Sequence, residues 1–92
     1  MNNQPGEVYL NHPTFGLLYR ICFLNNDREL FSTLYAQRLF FTVTAIENDL
    51  SFEPIGRSDA RLLVENRLRR LRTSGVLDQY QQLQAIHQRI FQ

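Results

Sequence analysis

The sequence predicts an α+β fold, a small twisted antiparallel β-sheet or open barrel followed by a hairpin of two helices. Three observations predict it. Up to Ile55 the chain is rich in aromatic and β-branched residues, broken by short polar turns. At Gly56 the apolar spacing changes to that of a helix. The 92 residues suffice for one modest core and not for two. The reading divides the chain into a flexible polar tail over residues 1–8, a β domain over 9–56 and a helical hairpin over 57–92.

Phe15 to Leu24 is aromatic and aliphatic and reads as the first strand. Asn25-Asn26-Asp27-Arg28 follows as a turn. Leu30 to Ala36 reads as a second strand and Leu39 to Ile46 as a third, with Gln37-Arg38 either a tight turn between them or a bend in one long strand. Glu47-Asn48-Asp49-Leu50 is the next turn. Ser51 to Ile55 closes the sheet, with Pro54 placing it at an edge or an end. Ser58 is the expected N-cap of the first helix, with Asp59 in its first turn. Ala60, Leu63, Val64, Leu68 and Leu71 form its stripe, and Gly75 suits the position just past its end. The second helix begins near Val76 or Leu77, with Tyr80, Leu83, Ile86 or His87, and Ile90 as its stripe. Neither helix is long enough to be stable alone, so both must pack.

Hydrophobic residues make up 43% and charged residues 21%, which excludes a disordered chain. One cysteine, Cys22, allows no internal disulfide and fits a reducing compartment. The start carries neither a basic n-region nor an apolar h-region, and no apolar run is long enough to span a bilayer. A soluble, cytoplasmic protein with no membrane association is expected. Residues 1–56 hold three Arg against six acids, and residues 57–92 seven Arg against three acids, so a net +1 hides halves of −3 and +4. Every basic residue is Arg, whose planar fork suits protein interfaces as well as phosphates.

The search for chemistry finds no convergent site. His12, His87 and Cys22 have no metal-ligand spacing. The four glycines form no phosphate loop, and no nucleophile elbow is present. Glu47, Asp49 and Glu53 read as a solvated loop rather than an acid/base pair. No enzyme, no metal and no cofactor is therefore expected. Arg57, Arg61, Arg67, Arg69, Arg70 and Arg72 offer a nucleic-acid-binding helix as the alternative function. Glu65 lies four residues before Arg69, where an i,i+4 pair is expected. The segment from Leu30 to Phe41 puts bulky groups on both strand parities. Either both faces of the sheet are covered within the molecule, or a partner covers one.

Tyr9-Leu10-Asn11-His12-Pro13-Thr14-Phe15-Gly16-Leu17-Leu18-Tyr19 resembles the opening of the cyanobacterial PII-interacting protein X family. Leu34-Tyr35-Ala36-Gln37-Arg38-Leu39-Phe40-Phe41 is similar to its central strand segment. Phe52-Glu53-Pro54-Ile55-Gly56-Arg57, then Ala60-Arg61, Leu63-Val64 and Asn66-Arg67-Leu68-Arg69, resembles its junction and first helix. The resemblance runs from Tyr9 to the C-terminus. It implies a Tudor-like, SH3-like β domain with two C-terminal helices and a regulatory role in nitrogen and carbon signalling. It implies two competing partners: the PII signalling protein when 2-oxoglutarate is scarce, and the transcription factor NtcA, as its coactivator, when 2-oxoglutarate is abundant. The effector would be bound by the partners, with no direct small-molecule ligand on this chain and any association with DNA only through NtcA. The partner-binding residues it implies are Glu7, Tyr9, Tyr35, Gln37, Arg38, Leu39 and Phe41.

Overall fold

A computed structural model describes residues 8–25, 27–34 and 38–92. Five strands run β1 (Tyr9–His12), β2 (Gly16–Phe23), β3 (Arg28–Thr33), β4 (Phe40–Ile46) and β5 (Asp49–Ile55), followed by α1 (Arg57–Ser74) and α2 (Leu77–Phe91). The strands form an antiparallel meander in sequential order, curled into a half-barrel. This is the α+β, Tudor-like arrangement expected.

Tyr9–His12 is a strand in its own right, paired Tyr9 to Tyr19 and His12 to Gly16. Its polar Asn11 and His12 hide it from a search for apolar runs, and pairing with β2 is what makes it a strand. The β1–β2 turn is held by His12, whose Nδ1 accepts from the main-chain N–H groups of Thr14 (3.0 Å) and Phe15 (3.3 Å). Gly16 leaves that turn at φ 78°, a conformation open to glycine at no steric cost. A β-bulge between Arg20 and Cys22 shifts the β2–β3 register and raises the local twist. The β4–β5 turn is shorter than expected: Ile46 pairs with Asp49, so only Glu47 and Asn48 lie outside the ladder, with Glu47 at φ 55°. Pro54 does lie on an edge strand, β5.

The aromatic residues on both parities are accounted for by two cores, one on each face, in place of the single core expected, because the curled sheet buries side chains on both sides. Tyr19, Ile21, Leu30 and Phe40 pack with Ala60, Val64, Leu71, Leu83, Ile90 and Phe91 of the helices. Leu18, Phe31, Phe41 and Val43 pack together on the opposite face, flanked by Val8, Leu10 and Phe52. Neighbouring residues Phe40 and Phe41 thus enter different cores, as the two-residue period of a strand requires.

Helix α1 starts two residues earlier than Ser58 implies. Gly56 is its N-cap, extended at φ −77° and ψ 165°, with no side-chain cap bond. Strand β5 runs directly into the helix, which leaves no room for a capping residue at Ser58. The C-terminal expectation holds: Gly75 is left-handed at φ 76°, its N–H donates to Arg72 O (3.2 Å), and Val76 N–H donates to Leu71 O (3.0 Å). These are the two bonds of a Schellman motif.

Candidate protein-binding loop and its supports

The segment after β3 is closed at its base by Thr33. The Thr33 N–H donates to Leu39 O (3.1 Å), and Leu39 N–H donates back to Thr33 Oγ1 (3.5 Å). Leu34 N–H donates to Leu17 O (3.0 Å), tying the outgoing arm to β2. Of the expected binding residues in this segment, Tyr35 and Gln37 lie outside the described residues, as does Glu7. Arg38 and Leu39 are exposed, Leu39 to 46%. They stand immediately before Phe40 and Phe41, which are 1% and 2% exposed. A rigid strand end therefore presents an aliphatic side chain and a guanidinium to solvent.

Phe41 differs from its neighbours. Its ring is stacked by His12 (5.9 Å between centroids) and met at a tilt by Phe15 (5.2 Å), and His12 also meets Phe52 edge-on at 5.1 Å. Buried this way, Phe41 fixes the start of β4 and is shielded from any partner that leaves His12 and Phe15 in place. The rings touch one another, so they leave no slot between them of the kind that holds an organic cation. Tyr9 is 51% exposed on the sheet edge. Cross-strand pairing puts Tyr9, Tyr19, Ser32 and Phe40 in one row. Tyr9 and the loop base are consequently at the same end of the sheet, at most about 14 Å apart across three strand spacings.

On the other face, the arginines are mostly engaged in holding the helices. Arg57 donates to the Ile90 carbonyl and lies over the Phe91 ring (5.3 Å). Arg89 donates to the Tyr19 hydroxyl (2.8 Å), and Arg70 to the Leu24 carbonyl (2.6 Å). Glu65 does not pair with Arg69. Its Oε2 accepts from Arg61 (3.0 Å) and is 3.0 Å from His87 Nε2 on α2, while Arg69 reaches Asn66. Both i,i+4 partners of Glu65 were available in the sequence, and the buried His87 decides which carboxylate rotamer forms. Hydrogen bonds from His87, then Arg61, hold the Glu65 carboxyl below its ordinary range. Phe91, buried at the end of α2, was missed because it adjoins Ile90 and falls outside the regular stripe.

Burial pushes the Cys22 thiol up to about 12, against the pull of Arg67, Arg20 and Arg70, so it carries almost no thiolate near neutrality. Among the described residues no group of three His, Cys, Asp or Glu is placed to hold a metal ion. No described helix is long and apolar enough to cross a membrane.

Residues 6–91 match the family model described as PII-interacting protein X, which is nearly the whole chain. No curated protein matches the sequence.

Proposed function

The chain belongs to the PII-interacting protein X family, and from that membership we propose that it is a non-enzymatic cytoplasmic adaptor that binds the PII signalling protein. It binds PII when 2-oxoglutarate is low and serves as coactivator of NtcA when 2-oxoglutarate is high. The observation that carries the reading is the loop base at Thr33, which holds exposed Arg38 and Leu39 just before β4, whose first two residues are buried. Partner contact is made by Tyr35, Gln37, Arg38 and Leu39, joined by Glu7 and by Tyr9, which lies at the same end of the sheet. Phe41 acts by fixing the start of β4. The polar tail 1–8 and β domain 9–56 form the recognition part, and of the helical hairpin 57–92 the second helix, α2, forms an arm that can undock.

Nucleic-acid binding through α1 is disfavoured by the partners of its arginines. Arg61 is paired with the Glu65 carboxylate, and Arg57 is held by the Ile90 carbonyl over the Phe91 ring, so these two are engaged in the fold before they meet any phosphate backbone. The test is titration of the purified chain with purified PII and ATP, with and without 2-oxoglutarate. Saturable binding that 2-oxoglutarate abolishes supports the reading. Binding indifferent to the effector, or none at all, overturns it.

A further inference from the structure

A cleft of about 600 Å³ opens between the β2–β3 turn and the C-terminal half of α1. Three guanidinium-bearing residues line it: Arg28 from the strand side, Arg69 and Arg70 from the helix. Among the described residues no Asp or Glu lines it. Glu29, the nearest acid on β3, is paired with Arg20 at 3.1 Å instead.

Ordinary helix-end electrostatics do not use up this charge. Cations near a helix C-terminus offset about half a negative charge from its unbonded carbonyls. Here two of those carbonyls are already bonded by the N–H groups of Gly75 and Val76. Set against the three guanidinium groups, Asp27, which adjoins Arg28 in the turn, leaves an excess of about two positive charges at the cleft.

Two of the three arginines are fixed in advance. Arg70 is anchored on the Leu24 carbonyl, and Arg69 on Asn66. Each bond uses one nitrogen of a guanidinium that has five N–H donors, leaving the rest free for a ligand. Asn25 Oδ1 accepts from the N–H groups of Asp27 (3.2 Å) and Arg28 (3.1 Å), which sets the turn and leaves the Asn25 amide hydrogens free to donate. Such preset, planar donors match phosphate oxygens bidentately.

We propose that this cleft binds a small phosphorylated ligand carrying at least two negative charges. One carboxylate would leave about half of the positive charge uncompensated, whereas a phosphate ester brings close to two negative charges at neutral pH. The volume falls within the range of small-molecule sites and exceeds the need of a bare phosphate. Leu24 and Leu63 line the cleft beside the arginines and give the organic part of the ligand an apolar wall. The site is built from residues more than forty positions apart, so no local motif announces it.

The test is NMR titration of the full chain with inorganic pyrophosphate and ADP, with citrate and a single-stranded oligonucleotide as comparisons. Saturable shifts at Asn25, Arg28 and Arg70 are expected with pyrophosphate or ADP, and weaker ones with citrate. Arg69→Gln, at an exposed position, should weaken binding about tenfold, as expected for a lost charge-assisted bond. Arg61→Gln, outside the cleft, should leave it unchanged. Absence of saturation, equal loss in both variants, or equal affinity for citrate would overturn the proposal. So would a preference for the oligonucleotide over ADP, which would make the face a nucleic-acid surface.

Discussion

Leu39 and Phe41 are two positions apart and have opposite relations to solvent, so substitutions separate binding from folding. Leu39→Ala removes an exposed side chain and should change stability by no more than about 0.5 kcal/mol. Its effect should fall on PII affinity, measured by calorimetry beside a thermal melt. Phe41→Ala empties a core site and should cost about 3–5 kcal/mol in denaturant titration. A large loss of stability in Leu39→Ala would place it in the core. Arg38→Lys keeps the charge and loses the planar fork, so binding should fall about fivefold, or about 1 kcal/mol. Unchanged affinity would make Arg38 a solvated loop residue. Glu65 is the residue where pH matters. Its carboxyl is held low in the fold by His87 and Arg61, so its contribution is complete above the ordinary value of 4.5. The contribution fades as pH falls below that value, through the depressed folded one. The melting difference between wild type and Glu65→Gln should accordingly be largest near neutrality and shrink in acid. A difference independent of pH would exclude this tie.

The two helices differ from the sheet in how they are held. α2 buries Leu83, His87, Ile90 and Phe91, and its exposed face carries Gln81, Gln82, Gln84 and Gln88. Large side chains contribute about 1.5–3 kcal/mol each, opposed by the cost of ordering the helix, which leaves a docking energy of only a few kcal/mol. Amides from Leu77 to Ile90 should therefore exchange faster than those of β2 to β4, and their protection should change when PII binds. Equal and unchanging protection would make the helices a fixed part of the fold. Gly75 sets the turn between them. No atom stands within 4 Å of an added Cβ, so the penalty of Gly75→Ala is conformational, about 1 kcal/mol, and would appear as a lowered melting temperature. These elements also mark what was legible in the sequence. The helix stripe and Gly75 follow from period and turn chemistry, which are local. The Ser58 cap failed because a strand enters the helix without a linker, and β1 was missed because its pairing with β2, not its composition, makes it a strand.

At the scale of the whole molecule, aromatic residues on both strand parities left open whether a partner or the chain itself covers the sheet. The answer is two internal cores, one beneath the helices and one in the curl of the half-barrel. In the proposed reading a partner acts at Arg38 and Leu39 after β3 and at Tyr9 on the sheet edge. Of the implied binding residues, exposure of Arg38 and Leu39 could not be read from the sequence, because the same apolar string supplies both core and surface. The uneven charge, −3 before residue 57 and +4 after it, has a consequence for salt. An interface centred on Leu39 and Tyr9 should lose little affinity as salt rises, whereas phosphate-backbone binding by α1 would weaken steeply. The most direct test of the adaptor role is calorimetric titration of PII and ATP with the wild-type chain and Leu39→Ala, each without and with 2-oxoglutarate. Saturable binding by the wild type without the effector, lost when 2-oxoglutarate is added and strongly weakened in Leu39→Ala, is the expected result. Binding that survives both 2-oxoglutarate and the substitution would contradict it.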